Sequence, residues 1–368
     1  MKTIPSAVVV SLCALALVGQ LSAQTWQVAG PLPRWNHSAI LDPTTNVMVV
    51  FGGDVAQANT PPYPYQLNLN DVWRLSSNLT WTALKPIGTP PASRGGQSGV
   101  YDSLNDRMII FGGGLGNSSP CANDVWVLTD ATGKTGTPAW AEITPTGTAP
   151  AAREQHGAAY DPNTNTMITY GGQDCLSTLF GDVWVLSNAN GMGGTSTWTQ
   201  LFPAEGGPGA REITGGVTYD STNNLLIVFG GANSGGTYND TWILSNANGQ
   251  GGTPTWTQLA PSGTLPPARA NNSSVYDPKN NRLIIFGGNN SGGELSDVWV
   301  LTNANGLGGT PTWTQLGPFS LFAEARSGHT AVYNTKTNRM TIFGGFTSLG
   351  TLDVDTNDVW VLSHANGK

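Results

Sequence analysis

Six arginines, three histidines and three glutamates recur at fixed places in this sequence and are its candidates for chemistry. Arg34, Arg94, Arg153, Arg211, Arg269 and Arg326 follow one another at intervals of 57 to 60 residues. Set around one axis, their guanidinium groups could grip a carboxylate or other polar oxygens bidentately and so bind a ligand. The competing use is structural, with the arginines bonding loop carbonyls and holding neighbouring repeats together. His37, His156 and His329 each follow an arginine by three residues, and the other copies carry Gln97, Thr214 and Asn272 there. Three imidazoles near one axis could bind a metal, a weak candidacy beside a core role, and neither metal nor cofactor is expected. Glu154 follows Arg153, Glu212 follows Arg211, and Glu324 precedes Arg326 by two. A carboxylate beside an arginine can serve as a general base, although an ion pair is the commoner use. Arg211 lies eight residues before Tyr219, where the other tyrosines follow their arginine by seven. Glu212 is therefore expected in the regular arginine position.

These residues must be positioned by whatever repeats with them. An aromatic–Gly–Gly triplet occurs six times, at Phe51-Gly52-Gly53, Phe111-Gly112-Gly113, Tyr170-Gly171-Gly172, Phe229-Gly230-Gly231, Phe286-Gly287-Gly288 and Phe343-Gly344-Gly345. Each ends an apolar run such as Leu283-Ile284-Ile285, which marks a buried strand closed by a sharp turn. Asp-x-Trp follows each triplet, at Asp71/Trp73, Asp124/Trp126, Asp182/Trp184, Asp240/Trp242, Asp297/Trp299 and Asp358/Trp360, and opens a third strand. A further Trp opens a fourth strand at Trp81, Trp140, Trp198, Trp256 and Trp313. Before the triplet a first strand ends in Tyr-Asp in four repeats, as in Tyr160-Asp161, where the Asp starts an Asn-rich turn.

Four strands per repeat, six repeats and radial stacking predict an all-β fold. It is a six-bladed β-propeller of four-stranded antiparallel blades, strands a to d. The sixth repeat has no fourth-strand Trp, because the chain stops at Lys368. Thr25-Trp26-Gln27-Val28 matches Thr255-Trp256-Thr257-Gln258. Residues 24–30 are thus expected to supply the outer strand of the last blade. That uses 12 of the 13 tryptophans and leaves Trp35 over.

The pattern of Arg and His before strand a, a Tyr, an aromatic–Gly–Gly and a Trp resembles the kelch repeat. The closest look is to secreted bacterial-type kelch proteins and to the central propeller of the galactose-oxidase family. The resemblance implies that arginines at this place line a ligand-binding face, and that His is usual three residues later. It also implies two classes of function. One is a binding module for a glycan, peptide or surface protein. The alternative is a carbohydrate-active enzyme, similar to cofactor-free kelch epimerases or mutarotases, with arginine for a substrate carboxylate and Glu154, Glu212 or Glu324 for proton transfer. A copper oxidase would need a Tyr–Cys crosslink, a second Tyr and two His, a set with no place here.

In such blades the d–a and b–c loops share one face, and the a–b and c–d loops the other. The c–d loops are near copies, Asn188-Ala189-Asn190-Gly191, Asn246-Ala247-Asn248-Gly249 and Asn303-Ala304-Asn305-Gly306, as turn chemistry demands. The b–c loops differ, and function gathers on varied loops over a rigid scaffold. The first, Asp54 to Asn70, carries Tyr63 and Tyr65 among prolines and is a candidate ligand surface or a lid. Cys121 and Cys175 fall in the second and third b–c loops and are candidates for a disulfide between adjacent blades. Asp353, Asp355 and Asn357 alternate in the last b–c loop, a faint calcium pattern without the expected Gly and Glu.

The formal net charge is −7 and no basic run exists. Nucleic acid and anionic membrane are thus excluded as expected partners. Residues 1–23, with Lys2 and the apolar stretch Ala7 to Leu17, are expected to be an export leader cut before Gln24. Its apolar stretch is too short for membrane insertion. The expectation is a monomer, secreted or periplasmic, with the propeller spanning residues 24–368.

Overall fold

Runs of Val, Ile and Leu closed by glycine pairs favour pleated pairing over helix, and this chain pairs them six times around one axis. The computed structural model describes residues 30–56, 66–116, 120–319, 321, 323–349 and 352–368. Blade one is built from strands a to d at Ser38–Asp42, Val47–Ala56, Gln66–Leu75 and Trp81–Leu84. Blade two uses Ser98–Asp102, Arg107–Gly114, Cys121–Thr129 and Ala139–Ile143, and blade three Gly157–Asp161, Thr166–Tyr170, Val183–Ser187 and Thr197–Leu201. Blade four follows with Val217–Asp220, Leu225–Phe229, Thr241–Ser245 and Thr255–Gln258, and blade five with Ser273–Asp277, Arg282–Phe286, Val298–Thr302 and Thr312–Leu316. In blade six the described strands are Thr330–Asn334, Arg339–Leu349 and Leu352–Ser363. Pairing is antiparallel in sequence order throughout. The expected leader, residues 1–23, and the expected outer strand, residues 24–30, lie outside the described residues apart from Gly30, as do Tyr63 and Tyr65.

The triplets do not end strand b everywhere. In blades one, two and six the chain bulges at the glycines and pairing resumes, so strands b and c extend into the b–c loop. Strand c accordingly begins before Asp-x-Trp in those blades. Both triplet glycines hold positive φ, for example Gly112 at 66° and Gly113 at 106°. A Cβ at Gly112 would meet the Arg153 carbonyl at 2.6 Å, so the next blade comes too close for any other residue.

The core lies between blades rather than within one. Six apolar clusters each draw on two neighbouring blades, and the sixth joins Met48, Val50 and Leu75 of blade one to Val332 and Phe343 of blade six. The strands a also touch in a closed ring, the first against the last. The lower face is tied the same way. Asn190, Asn248, Asn305 and Asn366 each donate from Nδ2 to the turn aspartate of the preceding blade, at 2.6, 2.8, 2.7 and 2.7 Å. Those copied loops are therefore structural.

Candidate binding site at the channel mouth

The six arginines do not face the opening. Each enters its own blade and is at most 2 % exposed. Arg153 shows the arrangement: Nη1 and Nη2 reach the two oxygens of Asp182 at 2.7 and 2.9 Å, Nη1 also reaches the Gly171 carbonyl, and Nε the Ala151 carbonyl. The Trp184 indole then donates to the same aspartate at 2.6 Å. Arg34, Arg94, Arg211, Arg269 and Arg326 pair likewise with Asp71, Asp124, Asp240, Asp297 and Asp358. Phe180 and Tyr238 lie over the guanidiniums of Arg153 and Arg211, at 4.3 and 4.1 Å. The expected arginine ring for a ligand is thus corrected to six intrablade clamps. The signal for it was in the sequence: six phased aspartates match six phased arginines.

The histidines are corrected too. Each reaches a hydroxyl of the preceding blade through Nε2: His37 to Thr330 at 2.7 Å, His156 to Ser98 at 2.8 Å and His329 to Ser273 at 2.9 Å. Each ring also meets the preceding triplet aromatic edge-on at 5.0 Å. They lie on three separate blades and, among the described residues, form no metal-sized cluster. Burial, with the nearby arginine charge, drives His156 and His329 down to about 3 and His37 well below its usual value, so all three are neutral. They line a cavity of about 160 Å³ in the channel together with Gln97 and Thr214.

Above it, one residue per blade closes toward the axis through backbone bonds. Gly96 N–H donates to the Asn36 carbonyl, Gln155 to Gly96, Ile213 to Gln155, Gly328 to Asn271 and Asn36 to Gly328, at 2.8–2.9 Å. Asn36, Gln155 and Asn271 hold φ of 51°, 55° and 53° to make this ring, a conformation non-glycine residues seldom adopt. The extra residue of blade four falls between Ile213 and Asn271. Arg211 keeps the arginine position, against expectation, because the insertion is absorbed after Glu212 at Thr214-Gly215, where Gly215 has φ 70°.

Just outside that ring stand the residues that follow each arginine: Trp35, Gly95, Glu154, Glu212, Ala270 and Ser327. Each bridges the residue after the triplet glycines of its blade. Trp35, left over by the repeat, packs on Phe346 of blade six with ring centroids 6.0 Å apart. Glu154 takes an amide hydrogen from Gln173 at 3.4 Å. Burial raises its carboxyl, and the neighbouring Glu212 charge raises it further; burial alone raises Glu212. Glu324 joins neither: it is exposed, and its carbonyl accepts from Arg326 Nε. Asp353, Asp355 and Asn357 lie on the last strand c, and Asn357 donates to the Pro31 carbonyl.

Cys121 and Cys175 form the disulfide between blades two and three, and Glu154 lies against it. With the cysteines 54 positions apart in the chain, replacing both by serine should cost about 2–4 kcal/mol in urea unfolding. Identical midpoints with and without reductant would deny the staple this weight.

These features define a class, the six-bladed propeller with its variable positions on one face. The chain belongs to the kelch-repeat family: the profile of the KLHDC2/KLHL20/DRC7 kelch-repeats domain matches residues 16–138, 103–251 and 222–368. It is similar to acyl-CoA-binding domain-containing protein 4 of Arabidopsis thaliana, 33% identical over 58% of this chain and 29% of that protein. It is also similar to the flagellar outer-arm dynein alpha chain of Chlamydomonas reinhardtii, 30% identical over 70% of this chain and 5% of that protein. The chain thus spans less than a third of these relatives' length. Among solved structures, one titled "Structure of YjhT" superposes with a TM-score of 0.61 at 14% identity, over 91% of this chain and 96% of that one; it shares the fold.

Proposed function

We propose that this propeller is a binding module that takes a glycan, peptide or surface protein at the channel mouth. One contrast carries the reading. The lower face repeats one Asn-based turn in four of its six blades, while the six equivalent mouth positions hold Trp, Gly, Glu, Glu, Ala and Ser. A half-buried aromatic pair offers a stacking surface, and two carboxylates with nearby carboxamides offer acceptors for hydroxyls or amines. An acidic sugar meets the wrong charge here, since each of the six phased guanidiniums is already paired with an aspartate. The disulfide fits an oxidising compartment, in keeping with an exported protein acting outside the cytoplasm as a monomer.

A cofactor-free epimerase or mutarotase is the second reading. The two glutamates whose carboxyls burial raises favour it, since perturbed acid–base groups in a cleft are candidates for proton transfer. The test is a screen of neutral sugars and peptides, repeated with Trp35→Ala, Glu154→Gln and Glu212→Gln. Binding should weaken about tenfold or more in each, while Met192→Ala on the lower face changes nothing. If Met192→Ala abolishes binding and the mouth variants do not, the face is wrong. Turnover lost in Glu154→Gln with affinity retained would establish the enzyme instead.

A further inference from the structure

The disulfide at the mouth has a third member. The sulfurs of Cys121 and Cys175 and one carboxylate oxygen of Glu154 all lie within 4.8 Å of one another. Among the described residues they are the one trio of histidine, cysteine or carboxylate side chains so gathered. Gly114 leaves the room for it. A side chain there would run into Glu154 Oε2 and reach Cys175 Sγ at 3.8 Å.

Each of the three is held by its own backbone bonds, not by the disulfide. Cys121 pairs opposite Gly114 in strand c of blade two. The next residue, Ala122, accepts from the Arg153 N–H at 3.1 Å, which ties that strand to the residue before Glu154. Glu154 exchanges two backbone bonds with Gln173, at 2.9 and 3.0 Å. Cys175 lies in a turn opened by Asp174. That residue bonds the Thr178 carbonyl through its N–H and takes the Leu176 and Thr178 amides on Oδ1. Opening the S–S bond therefore leaves the three positions in place. The two Cα atoms are 5.3 Å apart. Turning the two side chains can set their sulfurs about 3.8 Å apart, the spacing of two thiolates on one tetrahedral zinc ion.

We propose that the reduced chain binds one zinc ion here, on Cys121 Sγ, Cys175 Sγ and the Glu154 carboxylate. A dithiol opens the site: it gives two electrons and two protons to the S–S bond and closes to its own cyclic disulfide. Zinc then displaces the two thiol protons to solvent and gains two Zn–S bonds and one Zn–O bond. Thiolate ligands select zinc over calcium or magnesium. Burial works against the Glu154 carboxylate, and a divalent cation beside it offsets that cost. Gln173 Nε2, 3.4 Å from Glu154 Oε1, is the outer partner that orients this ligand. Three protein ligands leave the fourth tetrahedral position to water or to a donor atom of a molecule in the mouth. The site goes beyond the binding reading and does not depend on it.

Zinc titration decides the matter, on the full chain carrying Cys13→Ser, reduced with a dithiol, freed of it and kept from air. A competing zinc dye should report one ion bound per reduced chain and none per oxidised chain. Cobalt in place of zinc should give the sulfur-to-metal charge-transfer band of thiolate ligands. Zinc at a hundredfold excess over its dissociation constant should raise the reduced chain's melting temperature by about 3 °C or more and leave the oxidised chain's unchanged. Glu154→Gln should weaken zinc by more than about tenfold, since loss of even an outer partner costs that much. Glu324→Gln, on blade six, should not. A reduced chain that takes up no zinc would overturn the proposal. So would one ion shared between two chains, or equal affinity in Glu154→Gln, which would leave the thiols alone as the ligands.

Discussion

Acidification from pH 6.5 to 4.5 is expected to strip most of the stability from this protein before any carboxylate clamp is protonated. His37, His156 and His329 are buried and neutral, and folding holds each far below its unfolded value, His156 and His329 at about 3. The unfolded chain takes up a proton on each near pH 6.5, and the native chain refuses all three. Stability is thus fully present above about pH 6.5 and falls as the pH drops below it, at about 1.4 kcal/mol per pH unit for each histidine and about 4 for the three together. Below about pH 4 the clamps join in. Burial raises Asp124, Asp182, Asp297 and Asp358, but their arginine and indole hydrogen bonds outweigh it and hold them low. Their contribution is lost as the pH falls through those lowered values. Urea unfolding at pH 7, 6 and 5 measures the slope. His156→Gln, which installs the residue found at Gln97 of blade two, should make it shallower by about a third. A profile flat from pH 7 to 5 would refute the assignment.

The fold was legible because a repeat reports the same contact six times. One Gly-Gly pair says little, but six phased copies with matched tryptophans admit few architectures. The b–c extensions were not legible, since a bulge that resumes pairing after Gly53 or Gly113 leaves no distinct residue pattern. The role of the arginines was not legible for a different reason. A phased arginine looks the same in sequence whether it faces a ligand or an aspartate some 28 to 37 residues further on, and only the fold brings Arg34 to Asp71 or Arg269 to Asp297. The positions that vary between blades, Trp35, Glu154 and Glu212, carry the proposed site, whereas those that recur build the scaffold. Trp35 was visible as the one tryptophan the repeat could not place, and its meeting with Phe346 depends on ring closure.

Asp182→Ala should cost about 3–5 kcal/mol, because it leaves the Arg153 guanidinium inside the blade without a counter-charge. That group has no exposed surface, whereas the Asp182 side chain retains 24%. The reverse change is therefore expected to be milder. In Arg153→Met the aspartate rehydrates, and the loss is mainly the Gly171 and Ala151 carbonyl bonds, about 1–3 kcal/mol. Combining the two should cost less than Asp182→Ala alone, since removing the stranded charge removes most of the penalty. The size should also follow water access across the ring. Asp297 is only 17% exposed and Asp358 is 41%, so Asp297→Ala should destabilise more than Asp358→Ala. Urea unfolding of these variants decides between the two uses of arginine that the sequence left open. Ligand-gripping arginines would lose binding and keep stability when altered; clamps lose stability first. If Asp182→Ala unfolds at the parent's midpoint, the buried pair is not what holds strands b and c in place.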